Sequence, residues 1–289
     1  MYISIAATTH PGHHRDNNED AFAFCPDLTR PDFHFSSSQQ PTLHSQPSTL
    51  HSLGSLLLVA DGIGGFNAGE VASAIALQSV AKTFTAEAAT QAAATPEGAT
   101  QLLRQAVRQA DEAINQHIID DFHTVGMGTT IVLAWVLPHE THVAWCGDSR
   151  CYAYTPQDGL RALTHDHSYV QQLVDNGEIT PQEALTHPDN NIITHALGDV
   201  DCPPEPEVTT LPTQPDTTLI LCTDGLCGYL TDSDIEQTVR THHHTPKQCS
   251  DALLQLALRA GGYDNIAITT AHLTAQRPNL LQRLLHLNE

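Results

Sequence analysis

Residues 56–73 read LLLVADGIGGFNAGEVAS: an apolar strand that ends at Asp61 and is followed by a glycine-rich turn. Gly62, Gly64 and Gly65 free the backbone to approach a ligand, and a carboxylate beside such a turn suits a hard divalent cation. A plain strand-to-helix turn fits the same letters equally well. The glycine spacing is not that of a dinucleotide-binding fingerprint, because an acid precedes it and the third glycine is misplaced.

The same arrangement of an acid at a strand boundary recurs three times. Asp224 follows the apolar strand 217–223, Asp148 follows the run HVAWCG, and Asp264 stands before the last strand. Each alone would be an ordinary turn residue more often than a ligand. Together, uncompensated carboxylates would repel one another, so cations at their centre would explain them. Oxygen donors favour Mg²⁺ or Mn²⁺ over zinc.

The composition narrows the class of protein. The 289 residues hold 12 Lys and Arg against 33 Asp and Glu, which gives a formal charge of −21. Such a chain repels nucleic acid and anionic lipid, so neither is expected as a partner. The seven cysteines form no CxxC pair, and no leader or membrane-spanning run is apparent, which favours a cytoplasmic protein with free thiols.

The pattern of short strands and grouped helices predicts an α+β fold. Strands are expected at 56–60, 129–137, 142–154, 217–223 and 265–273. Helices are expected to begin at Thr95-Pro96, Thr180-Pro181 and Thr245-Pro246. A further, alanine-rich helix is expected over 70–94. Helices that follow groups of strands, rather than alternating with single strands, argue against a doubly wound parallel sheet.

One stretch differs from the rest of the chain. After Asp32, no Asp, Glu, Lys or Arg occurs in residues 33–52, which are rich in Ser, Gln, His and Thr. Such a composition buries little apolar surface, so we expect 26–54 to be an extended or locally disordered insertion. The remainder of 1–275 is expected to be one domain, with 276–289 a short C-terminal tail.

The segment GHHRDNNEDAF at 12–22 places Arg15, Glu19 and Asp20 within six residues. Taken alone, an ordinary surface cluster explains it better than a site. Its place in an ordered series gives it more weight. The series is RDNNEDAF, VADGIGGFNAGEVAS, GMGTT, CGDSR, HDHSYVQQLVDNGEITPQEA, CTDGL and GGYDNI.

This series resembles the metal-dependent serine/threonine phosphatases of the PP2C type, in their compact bacterial branch, over residues 15–273. The resemblance implies two packed antiparallel β-sheets flanked on both faces by helix pairs, a four-layer αββα sandwich, with a flap at 166–200. It implies hydrolysis of phosphoserine and phosphothreonine in proteins, in a reaction that reverses a bacterial Ser/Thr kinase. The implied enzyme is a cytoplasmic monomer.

The resemblance also implies a site built on two Mn²⁺ or Mg²⁺ ions. Asp61 would bridge them, the carbonyl of Gly62 would touch one, and Asp224 and Asp264 would complete the shell of the other. Asn265 would support Asp264 from behind.

Further residues take their implied roles around that pair of ions. Glu19 would act at the edge of the metal shell, Asp20 would hold water, and Arg15 would grip the substrate phosphate. Asp148, with Thr186 of the flap, would bind a third ion. The chain departs from the family where Ile63 replaces a histidine and where His195 replaces a flap arginine.

Two other functions remain open on sequence alone. A non-catalytic module of the same fold would bind phosphoprotein without turnover, although it would have no evident need for four clustered acids. A histidine-rich metal-storage protein rests only on composition and on the triplet His242-His243-His244, which we expect to be a solvated loop.

Overall fold

The computed structural model describes residues 1–36, 42–64, 68–95 and 97–275. Its strands are β1 (Tyr2–His10), β2 (Ala21–Cys25), β3 (His34–Phe35), β4 (Thr42–His44), β5 (Ser48–Thr49), β6 (Ser55–Ala60), β7 (Gly62–Ile63), β8 (Gly128–Thr129), β9 (Ile131–Val136), β10 (Glu140–Cys146), β11 (Arg150–Thr155), β12 (Gly159–Ala162), β13 (Glu207–Pro212), β14 (Thr218–Cys222) and β15 (Ile266–Thr274). Its α-helices are α1 (Gly69–Thr83), α2 (Ala86–Ala92), α3 (Gly98–Asp120), α4 (Tyr169–Asp175), α5 (Pro181–Ala184), α6 (Asp224–Cys227), α7 (Asp232–His242) and α8 (Pro246–Arg259).

The strands form two large antiparallel sheets. The first has the order β12-β11-β14-β15-β1-β4, with β5 also paired to β1, and the second has the order β13-β10-β9-β6-β2-β3. The chain termini meet in the first sheet, where β1 pairs with β15 from Tyr2 opposite Thr274 to His10 opposite Ile266. A separate pair joins β7, which begins directly after Asp61, to β8.

Three apolar layers hold four layers of structure together. Between the sheets lie side chains such as Phe22, Leu57 and Leu221. Helices α1, α2 and α3 cover the second sheet, and α7 and α8 cover the first. The expected αββα sandwich is therefore confirmed, because each sheet buries one face on its partner sheet and the other on helices.

The expectation of an extended loop or a locally disordered insertion at 26–54 needs correction at three short strands within the residues that the structure describes there, 26–36 and 42–54. Strands β4 and β5 extend the first sheet along β1, and β3 extends the second along β2. Leu28 and Leu50 are buried, and the indole of Trp135 donates to the carbonyl of Leu53 at 2.8 Å. Composition misled because these strands satisfy the edges of both sheets with backbone hydrogen bonds. Residues 37–41 lie outside the described residues.

Local boundaries also differ from expectation. The alanine-rich stretch 70–94 divides into α1 and α2, the helix expected from Thr95 begins at Gly98, and the strand expected over 142–154 is interrupted at Gly147, whose φ is +116°. The helices expected at Thr180-Pro181 and Thr245-Pro246 are confirmed as α5 and α8.

Several elements were not predicted, among them β1, β2 and α7. The histidine triplet is not a solvated loop: His242 ends α7, and His243 is buried with Nδ1 3.0 Å from the carbonyl of Arg240. Within the described residues, no helix has both the length and the apolar character needed to cross a bilayer. The tail 276–289 lies outside those residues.

Candidate active site

Asp61 is fixed in place through its own backbone at the end of β6. Its carbonyl accepts hydrogen bonds from the amide of Thr130 at 2.9 Å and from the hydroxyl of Thr129 at 2.7 Å. The hydroxyl of Thr130 lies 2.7 Å from that of Ser149, the residue after Asp148. The GMGTT and CGDSR motifs therefore hold two of the expected metal-binding acids from the same side.

Two glycines allow the chain segments of the site to approach closely. A Cβ atom on Gly62 would overlap the carbonyl oxygens of Gly69 and Glu19, and one on Gly225 would overlap the carbonyl of Asn265. Glycine is required at both positions because backbone, not a flexible side chain, occupies the space. This packing brings Glu19, Asp61 and the segment after Asp224 to one end of the sandwich.

Asn265 ties the N-terminal loop to the last strand. Its Oδ1 accepts from the amide of Glu19 at 2.8 Å, and its Nδ2 donates to the carbonyls of Pro11 at 3.0 Å and Asn17 at 2.8 Å. The expected support of Asp264 comes from the backbone, since the amide of Asn265 donates to Asp264 Oδ1 at 2.8 Å. One residue thus positions both Glu19 and Asp264.

Arg15 lies across the mouth of the acid cluster. Its Nη2 donates to Asp264 Oδ2 at 2.8 Å, while its side chain remains 56% exposed. The pairing with an expected metal ligand was not foreseen from the sequence. A guanidinium in this position can form further hydrogen bonds toward the cleft, because it has five N–H donors.

The acids of the site lie close together with little compensating positive charge; Asp20 and Asp148 are buried, and Asp61 and Asp224 are half-buried. Burial, followed by the carboxylates of neighbours such as Asp224, raises the pKa of Asp20, Asp61 and Asp148 well above its usual value. For Asp224 itself, burial and then Asp264 raise the pKa to about 6. Asp20 Oδ2 and Asp148 Oδ1 have no hydrogen-bond partner among the described residues. Such oxygens are costly unless a ligand reaches them.

The donor set fits hard divalent cations. Every candidate ligand is a carboxylate or carbonyl oxygen, and the unpartnered oxygens of Asp20 and Asp148 lie among acids that repel one another. Among the described residues, no group of three or more His, Cys, Asp or Glu side chains is arranged to hold a metal ion by itself. The fit to divalent cations therefore rests on the chemistry of the oxygen donors.

A cleft of about 600 Å³ begins at these acids. Arg15, Asp148, Asp224 and Asp264 line it, and it continues under the segment 166–200, which contains α4 and α5. Thr186 is exposed, does not line the cleft, and donates only to the carbonyl of Glu183 at 3.4 Å.

A second charged group beside the acids was missed from the sequence. Arg150 binds both oxygens of Asp166, with Nε 2.8 Å from Oδ1 and Nη2 2.7 Å from Oδ2, and its Nη1 donates to the hydroxyl of Tyr152 at 3.0 Å. That hydroxyl donates to Asp232 at 3.0 Å. We call Arg150, Tyr152, Asp166 and Asp232 the paired cluster. Arg150 and Asp166 stand inside motifs of the series, which was the available signal.

Two histidines near the flap have structural contacts. His167 Nδ1 accepts from the amide of Gly147 at 3.2 Å, and its Nε2 lies 3.2 Å from Glu207. The ring of His195 lies against that of His167, with centroids 5.0 Å apart, and does not line the cleft. His195 therefore does not replace, within this structure, the substrate contact of a flap arginine.

Known proteins are similar to this chain in both sequence and fold. A serine/threonine phosphatase, stp, from Listeria innocua is 33% identical over 228 residues, which are 79% of this chain and 86% of that protein. The crystal structure of the serine/threonine phosphatase Stp1 from Staphylococcus aureus superposes with a TM-score of 0.74 at 30% identity, covering 93% of this chain and 95% of Stp1.

A further solved structure carries metal ions. The catalytic domain of the serine threonine protein phosphatase PstP, in complex with two manganese ions, superposes with a TM-score of 0.72 at 28% identity, covering 95% of this chain and 100% of that domain. The family model for protein phosphatase 2C matches residues 43–259. With three quarters of its length inside that match, this chain belongs to the protein phosphatase 2C family.

Proposed function

We propose that this chain hydrolyses phosphoserine and phosphothreonine esters in proteins in a reaction that depends on divalent metal ions. The observation that carries the proposal is a group of close acids, Asp20, Asp61, Asp148 and Asp224. Asp148 and Asp224 line an open cleft, and the buried oxygens Asp20 Oδ2 and Asp148 Oδ1 have no hydrogen-bond partner among the described residues. Its relatives named as serine/threonine phosphatases support the reaction and the substrate class.

We propose that two ions are held by the carboxylates of Asp61, Asp224 and Asp264 and by the carbonyl of Gly62. Mn²⁺ and Mg²⁺ both suit these oxygen donors, and PstP with its two manganese ions supports the number. Asp148, buried with Oδ1 unpartnered, is the proposed ligand of a third ion. Thr186 is left out because it is exposed and does not line the cleft. When bound, such ions neutralise phosphoryl oxygens and make water more acidic at neutral pH.

The residues of the chain then bind and orient the substrate. Arg15 can bind two phosphate oxygens through its planar guanidinium, and its hydrogen bond to Asp264 sets the direction from which it does so. Asp20 Oδ2, buried and unpartnered, can accept a hydrogen bond from a water molecule in the site. Glu19 lies at the edge of the acid group beside Gly69, and burial raises its pKa.

The cellular setting is part of the proposal. We infer a monomeric enzyme that acts in the cytoplasm on proteins phosphorylated by a Ser/Thr kinase. The net charge of −21 supports protein substrates over nucleic acid or anionic membranes, since both would be repelled. We also infer that residues 1–275 form the whole catalytic domain, with 166–200 as its flap.

The test is release of inorganic phosphate from a phosphothreonine peptide and from p-nitrophenyl phosphate, with and without added Mn²⁺. The proposal expects release from both substrates that is lost in excess chelator. Binding of the peptide without any release would instead support a non-catalytic phosphoprotein-binding module.

A further inference from the structure

The cleft is lined in part by apolar side chains that the phosphate chemistry does not use. These are Val170 and Val174 of α4, Leu185 after α5 and Leu230 between α6 and α7. Val170 is 9% and Leu230 8% exposed, so both are packed into the protein and offer only one surface to the cleft. We call these four residues the apolar subsite.

The wall formed by the flap is held in place by its own capping interactions. Val170 and Val174 lie four residues apart and so share one face of α4. Ser168 caps that helix by accepting from the amide of Gln171 at 3.3 Å. A capping box between Thr180 and Glu183 fixes the start of α5. The subsite is therefore present before any substrate arrives.

The polar group beside the subsite is already satisfied. Arg150 uses its guanidinium on Asp166 and Tyr152, so it has little capacity left for an anionic group of a ligand. Asp232, which lines the same cleft, is 59% exposed and adds negative charge. What these residues offer a ligand is apolar contact, together with repulsion of acidic side chains.

We propose that the apolar subsite binds an apolar side chain of the substrate protein within two residues of the phosphorylated serine or threonine. The inference rests on the proposed phosphatase function. The occupant follows from continuity: the cleft that holds Asp148, Asp224 and Asp264 is the same cleft that holds the subsite. Its volume of about 600 Å³ has room for more than one phosphorylated side chain. Two residues of extended chain span roughly 7 Å.

The experiment compares phosphothreonine peptides that differ at one position. A neutral, Gly- and Ser-based peptide receives Leu, Ser or Asp in turn at each of the two positions before and after the phosphothreonine. We expect at least one position at which kcat/KM is roughly tenfold higher for Leu than for Ser, because burial of such a side chain is worth that factor or more. Asp at that position should be the poorest of the three.

Variants locate the effect on the protein. Leu185→Asn and Val174→Ser should each remove most of the preference for Leu while leaving hydrolysis of p-nitrophenyl phosphate within about twofold, since that substrate is too small to need the subsite. Ile192→Asn is the matched control, because Ile192 is a flap residue that is 46% exposed and does not line the cleft. It should keep the preference.

The outcomes separate this inference from the proposed function. Equal kcat/KM for Leu and Ser at all four positions, or a preference for Leu that survives in both subsite variants, would overturn the subsite while the phosphatase function stands. If no substrate is hydrolysed, the proposed function fails. The same fluorescently labelled peptides then test the subsite by anisotropy, where Leu must again bind about tenfold more tightly than Ser.

Discussion

Two groups of acids lie side by side in the cleft and are treated differently by the fold. In the paired cluster, Asp166 has a bidentate guanidinium partner in Arg150, and Asp232 accepts from Tyr152. The second group, which we call the site group, is Asp20, Asp61, Asp148, Asp224 and Asp264, and in it Asp20 and Asp148 keep buried oxygens with no partner among the described residues. The paired cluster is complete as a protein structure, whereas these two oxygens of the site group are satisfied only by a ligand. The acids of the paired cluster therefore serve as structure, and the site group is the proposed metal-binding site.

The largest effect should come from neutral, isosteric changes in the site group. Asp61→Asn and Asp224→Asn should each lower the rate of p-nitrophenyl phosphate hydrolysis by roughly a thousandfold or more at saturating Mn²⁺, because each removes a charged ligand from the centre of the reaction. Asp251→Asn, on α8 and away from the cleft, is the matched control. A variant of either acid that keeps a tenth of the wild-type rate would exclude that residue from the site.

Changes in the paired cluster should instead lower the stability of the folded protein. Arg150→Met leaves Asp166, whose side chain is 12% exposed, without its partner, and should lower the free energy of unfolding by about 3 kcal/mol. Arg15→Met breaks a pair whose arginine is 56% exposed and should cost no more than about 1 kcal/mol, while it raises KM for a phosphopeptide. Urea unfolding measures both. Equal losses of stability would remove the distinction between the two groups.

A smaller effect should appear in the pH dependence of stability without divalent ions. The pKa of Asp224 is raised to about 6 in the folded chain from an ordinary 3.8. The folded state therefore holds the proton more tightly, so the contribution of Asp224 to stability is fully present below pH 3.8 and is lost as the pH rises through 6.

Asp224→Asn should consequently gain stability relative to wild type as the pH rises from about 4 to about 7. Unfolding of both proteins in chelator gives this difference. Taking the difference between the two proteins also removes the opposite contribution of His272. The pKa of His272 is lowered to about 4, first by burial and then by His244. Parallel stability curves for the two proteins would show that Asp224 is not destabilised by its neighbours.

The fold could be predicted, and candidate site residues could be chosen, because their signals are local. Asp61 and Asp224 stand at strand boundaries beside glycine, Asp264 stands before the last strand, and the order of the motifs gives the other candidates. Pairing is not local. Arg150 and Asp166 are 16 residues apart, and Arg15 and Asp264 are 249 apart, so only the tertiary structure decides which acids are neutralised.

The insertion shows the complementary failure. Strands β4 and β5 have few apolar side chains, and their support comes from backbone contacts with β1, such as the amide of Ser45 donating to the carbonyl of Ile5 at 2.8 Å. Hydrogen bonds of this kind leave no pattern in side-chain composition. Of the two flap helices, α5 was predicted from its start at Thr180-Pro181, whereas α4 was not.

We expect the site group, and not the paired cluster, to bind the metal ions. Isothermal titration of chelator-treated protein with Mn²⁺ tests it directly, on wild type, Asp61→Asn and Asp166→Asn at the same pH. We expect Asp61→Asn to weaken Mn²⁺ binding by at least roughly tenfold and Asp166→Asn to leave the isotherm unchanged. Identical isotherms for wild type and Asp61→Asn, or a larger loss in Asp166→Asn, would contradict the account.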